Sequence, residues 1–229
     1  TTRHAESKSG VAKFLTPVAI VLAGIIVASA IIATNSGTKT NSDNKDTTDS
    51  ATQPTAAVNV KDVKIEGDPY IGQEDAPVVL VEWTDYQCPY CKQIELGTLL
   101  ELKKNYVDQG KVKIVFKDYQ FLGPDSTAAA LDARAIWELY PDKYFEWREG
   151  LFNKQDAENG GFGDEASVRE FTKTISGIDV TKVAELVTQK KAEYQAVIDA
   201  DKEEGTKFGV QGTPGFVTGT QLISGAASY

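Results

Sequence analysis

Residues 78–92 read Val-Val-Leu-Val-Glu-Trp-Thr-Asp-Tyr-Gln-Cys-Pro-Tyr-Cys-Lys, and no other stretch narrows the possible folds so far. The apolar, β-branched run is the pattern of a buried strand. A short polar turn follows, then a Cys-x-x-Cys motif with Pro89 just after its first cysteine. Proline suits the first turn of a helix, where its missing N–H costs nothing. Cys88 is therefore expected at the N-terminus of a helix fed by the strand. Free N–H groups and the positive end of the helix dipole favour a thiolate there. Cys91, one turn on, lies on the same side of that helix within disulfide reach, which makes the two a redox pair.

Composition removes several alternatives. A net charge of −9 over 229 residues argues against a nucleic-acid partner, which needs a basic face. Cys88 and Cys91 are the only cysteines, too few for a disulfide-rich scaffold or a self-contained four-ligand zinc site. The single histidine is His4, so a Ser-His or Cys-His catalytic pair is not expected. The sequence contains no methionine, and we read it as beginning inside a longer or processed product.

Residues 1–13 are polar, with Arg3, Lys8 and Lys13 against Glu6, and residues 14–33 carry no charge. An uncharged run of that length spans a bilayer as a helix, and the basic residues before it predict a cytoplasmic N-terminus. Ala28-Ser29-Ala30 allows a cleavable signal peptide instead; the length of the run favours the anchor. Residues 34–57 are rich in Thr, Ser, Asn and Asp and read as a disordered linker. A domain over 58–229 follows. Residues 58–65 alternate loosely and suggest an edge strand, and 67–69 and 74–77 are turn chemistry.

After Cys91 the pattern is helical (Ile94, Leu99, Leu102, Tyr106), with a kink expected at Gly97 and an end at Gly110. Residues 111–116 read as a strand with Val112, Ile114 and Phe116 on one face, completing a parallel βαβ unit. From 124 to about 204 only helical periodicity is found. Its stripes are Ala128, Leu131, Ala135, Leu139; Tyr144, Trp147, Leu151; Val168, Phe171, Ile175; and Val183, Leu186, Tyr194, Val197. Such stripes are read as core. Strand character returns at 209–217, with 221–223 as a hairpin partner across Thr218-Gly219-Thr220.

Strand, Cys-Pro-x-Cys helix, strand, helical insertion and Gly212-Thr213-Pro214 before a hairpin resemble the DsbA-like branch of the thioredoxin superfamily. Gly67-Asp68-Pro69 with Asp75-Ala76-Pro77, Phe121-Leu122-Gly123 and Ile223-Ser224-Gly225-Ala226 add to the likeness, which covers about 67–229. It implies an α/β, thioredoxin-like fold: a central mixed sheet flanked by helices, with a helical insertion, preceded here by a transmembrane segment. It also implies that Cys88 is the exposed nucleophile, Cys91 the buried resolving cysteine, and Thr213-Pro214 a cis dipeptide offering backbone to a substrate strand. Pro89 and Tyr90 would border that substrate site. Glu82, six residues before Cys88, would be a buried acid relaying a proton to Cys91; its ordinary alternative is a surface carboxylate satisfied by a lysine. Asp85, Tyr86 and Tyr90 are read as shape and solubility, with Tyr90 placed to influence the thiolate.

Two departures stand out. Gly215 replaces the bulkier β-former usual after the proline, which would loosen the substrate edge. The family also continues beyond the Gly-Ala segment into a final helix that 225–229 do not contain. The implied activity is extracytoplasmic thiol–disulfide exchange that forms disulfides in exported proteins, with no metal or nucleotide cofactor. Its expected partners are protein thiols and a membrane quinone-linked oxidant. A reductase or isomerase of the same fold is the alternative direction, and a chaperone-like holder or a copper(I)-binding module the alternative class.

Overall fold

The structure is a computed structural model that describes residues 58–229. The sheet has five strands: β1 (Tyr70–Ile71), β2 (Val78–Thr84), β3 (Val112–Asp118), β4 (Gly215–Thr218) and β5 (Gln221–Ser224). Their spatial order is β1-β3-β2-β4-β5. Only β2 and β3 run parallel; the other pairings are antiparallel, so the sheet is mixed. The parallel pair is joined by α1 (Pro89–Glu95), α2 (Thr98–Leu102) and a π-helical turn at Lys103–Val107. Gly97 breaks the helix as its composition predicted.

Four helices form the insertion between β3 and β4: α3 (Pro124–Leu139), α4 (Pro141–Lys154), α5 (Glu165–Thr172) and α6 (Val180–Lys207). Alternation along β2 assigns its two faces. Val81 and Trp83 join one core cluster with Val115, Val210 and Val217. Leu80, Glu82 and Thr84 therefore point to the opposite face. There Cys91, Ile114, Phe116, Trp147 and Phe152 build the larger cluster beneath the insertion. Ile114 and Phe116 lie on that face with Val112 packed against them, as their spacing predicted.

Four features differ from the sequence reading, the first being that the strand expected from 209 begins only at Gly215. Residues 58–65 are not an edge strand: Val60–Asp62 is a 3₁₀ turn, closed by the Asn59 side chain accepting from Lys61 N at 3.0 Å. The edge is instead the two-residue β1. α3 is not buried along one stripe but from Ala129 through Ile136, because α4, α5 and α6 all pack around it. Gly215 loosens nothing, since a Cβ there would lie 2.7 Å from Val210 Cγ1, so the glycine lets the strand pack closely. Gly205 does the same for α6, where a Cβ would come within 2.7 Å of Trp83 Nε1. Among the described residues no helix is long and apolar enough to cross a membrane; the run at 14–33 lies outside them, as do the polar segments around it.

Candidate active site

Cys88 is the N-cap of α1, and Pro89 is its first helical residue. Both cysteines are free thiols. Pro89 and Tyr90 are exposed beside them, Tyr90 by 62 %. Across from Cys88 the Thr213–Pro214 peptide is cis, and Cys88 Sγ donates to the Thr213 carbonyl at 3.4 Å. That loop closes over the sulfur, so Cys88 is only 4 % exposed rather than the open nucleophile expected. Cys91 is completely buried.

The two thiols titrate in opposite directions. Cys88 is lowered to about 6. The hydrogen bond from the Cys91 thiol is the largest cause, and it outweighs the opposing effect of burial. The Thr213 side chain and the backbone N–H groups of Cys91 and Tyr90 add to it. The backbone contribution is the helix-start effect the sequence predicted. Cys91 is pushed well above an ordinary thiol by burial first, then by Cys88 and Glu82. One sulfur is thus mostly thiolate at neutral pH while its neighbour holds its proton.

Beneath the pair lies a buried charge cluster. Glu82 is fully buried, which excludes the surface-lysine alternative. Its partner is Arg148 of α4, itself fully buried, whose guanidinium reaches Glu82 Oε2 at 3.5 Å. The same guanidinium holds Glu95 of α1 more tightly: Nε donates to Glu95 Oε1 at 2.8 Å, and a terminal nitrogen donates to the same oxygen. It also donates to Tyr86 Oη at 3.3 Å and stacks 4.1 Å from the Phe116 ring centre.

One buried cation facing two buried carboxylates favours keeping one of them neutral. Burial raises both, and Glu82 rises well above the ordinary carboxylate range because Glu95 adds to the effect of burial while Arg148 opposes it. Glu82 Oε1 has no partner. The proton therefore belongs on Glu82, on the sheet face shared with Cys91.

Sequence reasoning passed over Arg148, Glu95, Thr84 and Gln155. Arg148 sits directly after Trp147 in a predicted core stripe, a charge inside an apolar face that could have marked it. Gln155 Nε2 donates to the carbonyls of Tyr86 and Cys88 at 2.8 and 3.2 Å, tying the insertion to the active-site turn. Asp85 is a buried hub: it accepts from Gln87 N, Ser126 Oγ, Phe121 N and Leu122 N, which is shape and not solubility.

Comparison with known proteins identifies the family of the chain. A family model described as thioredoxin matches residues 64–229. Disulfide bond formation protein D of Bacillus subtilis is 29% identical over 165 residues, 72% of this chain and 73% of that protein. The crystal structure of oxidised BdbD from Bacillus subtilis superposes with a TM-score of 0.64 at 29% identity, covering 70% of this chain and 85% of that one. The thiol-disulfide exchange protein alpha-DsbA2 from Wolbachia pipientis gives 0.61 at 29% identity, covering 70% and 81%. The chain belongs to the thioredoxin family, as a DsbA-like thiol–disulfide oxidoreductase.

Proposed function

We propose that the chain forms disulfide bonds in exported proteins from the outer face of a membrane, tethered through residues 14–33. A substrate thiolate attacks Cys88 Sγ of the Cys88–Cys91 disulfide. A substrate–Cys88 bond forms, the Cys88–Cys91 bond breaks, and its electron pair goes to Cys91 Sγ. Glu82 supplies the proton that neutralises Cys91. A second substrate thiolate attacks the substrate sulfur of the mixed disulfide, and Cys88 leaves as a thiolate. The products are a substrate disulfide and a dithiol here; a membrane quinone-linked partner accepts the two electrons that restore the disulfide. Thr213, Pro214, Pro89 and Tyr90 border the approach of the substrate strand.

The observation that carries this reading is Cys88 at the start of α1, held against Thr213 O at 3.4 Å and lowered to about 6. A stabilised thiolate is a good leaving group and favours the reduced form, which makes the disulfide an oxidant. The relatives named for disulfide bond formation support the same direction. The test is alkylation of the dithiol by iodoacetamide as a function of pH, run beside oxidation of a reduced, unfolded protein by the disulfide form. Alkylation of Cys88 should have its midpoint near pH 6, and the substrate should acquire one disulfide per chain reduced. A midpoint near 9, or a substrate that stays reduced, would contradict the proposal.

A further inference from the structure

Thr84 is the last residue of β2, only 1 % exposed, and its Oγ1 has no hydrogen-bond partner. A buried hydroxyl left unpaired is costly, and folded proteins rarely leave one without a reason. The backbone gives none. The Thr84 carbonyl is satisfied by Tyr119 N at 2.9 Å, and the residue pairs with Asp118 in the parallel register.

Position supplies the reason. Val81 and Trp83 face the other cluster, so Thr84 shares with Glu82 the face on which Cys91 is packed. That face carries the buried, partnerless hydroxyl toward the side on which Cys91 is packed, and Thr84 is among the groups that favour the Cys91 thiolate. In the dithiol form its hydroxyl is unpartnered.

We propose that the Thr84 hydroxyl is a donor held in reserve for the negative charge that develops on Cys91 Sγ when the Cys88–Cys91 bond breaks. The inference rests on the exchange reaction proposed above. As the substrate sulfur bonds to Cys88, the electron pair of the breaking bond moves onto a completely buried sulfur. Burial, the largest cause of the raised Cys91 thiol, disfavours charge there. A fixed donor that is unsatisfied before the step and satisfied during it stabilises the transition state selectively. Thr84 then needs no proton of its own; the proton still arrives from Glu82, and the hydroxyl covers the interval before it does.

The experiment compares full-length wild type, Thr84→Val and Thr84→Ser in the disulfide form, with reduced glutathione as the attacking thiol. Removing a hydrogen bond to a charged atom should slow the Thr84→Val reaction roughly tenfold, while Thr84→Ser stays within about twofold of wild type. The thermal midpoint of Thr84→Val should be unchanged or higher, since a partnerless buried hydroxyl has been removed. In a Cys88→Ala background, the pH midpoint of the Cys91 13Cβ shift should rise by about one unit for Thr84→Val alone. If Thr84→Val does not fold, Thr84→Ala against Thr84→Ser makes the same comparison. Thr84→Val reacting at the wild-type rate, or Val and Ser slowing equally, overturns the inference. A wild type that does not react with glutathione overturns the exchange reading itself.

Discussion

Cys88→Ala is expected to reduce thiol–disulfide exchange to the uncatalysed background, and Cys91→Ala to behave differently. With Cys91 gone, the Cys88 thiolate still attacks oxidised glutathione and expels one glutathione thiolate, but no neighbouring thiol resolves the product, so the mixed disulfide accumulates and is visible by intact-protein mass spectrometry. The same variant tests why Cys88 is acidic. The Cys91 thiol is the largest single cause of its lowering to about 6, so Cys91→Ala should move the Cys88 alkylation midpoint upward. The backbone N–H groups remain, which holds it below an ordinary thiol. Equal loss in both variants without a trapped intermediate, or an unmoved midpoint, would mean that the roles of the two sulfurs are wrongly divided.

Arg148→Ala should destabilise the fold by about 3–5 kcal/mol, the usual consequence of removing one partner from a buried ion pair. Glu95 and Glu82 would be left without their only described cation. The direction with pH follows from their titration. Both carboxylates are raised in the folded state by burial, so their stabilising contribution is complete below the ordinary value of 4.5 and is lost as pH rises through the raised folded values. Without Arg148 they rise further. The variant should therefore be least deficient near pH 4 and progressively weaker toward neutrality, as read by urea unfolding at each pH. Adding Glu95→Gln should recover part of the loss, because the paired residues are coupled. An alanine variant as stable as wild type at pH 7 would remove Arg148 from the account.

Much of this arrangement was legible because its determinants are local. Pro89 at the first helical position, the β-branched run before it and the loop at Thr218-Gly219-Thr220 each act within a few residues; the helix, β2 and the hairpin form there, although β4 begins at Gly215 and takes in Thr218. What was not legible depends on distance along the chain. Arg148 meets Glu95 and Glu82 across 53 and 66 positions, and nothing near Arg148 announces two carboxylates. Glu82 could be placed on a strand but not assigned its partner. The segment at 58–65 misled because Val58, Val60 and Val63 look like a strand, while a single side-chain cap from Asn59 makes a turn cheaper. Cys88 was expected to be open, and only folding brings Thr213 over it from 125 residues away. Thr84 shows how the alternation of β2 could have been taken further, since two positions after Glu82 is the same face.

The reduction potential of the Cys88–Cys91 pair, equilibrated in glutathione buffers and followed with pH, tests the central claim most directly. A thiolate stabilised at Cys88 predicts a potential well above thioredoxin's value of about −270 mV. It also predicts a change of slope. Below the Cys88 value of about 6, reduction takes up two protons, and above it only one, because Cys91 alone is then protonated. The potential should fall by about 59 mV per pH unit below that point and about 30 mV above it. A potential close to thioredoxin's, with no break near pH 6, would contradict the account and assign the site to disulfide reduction.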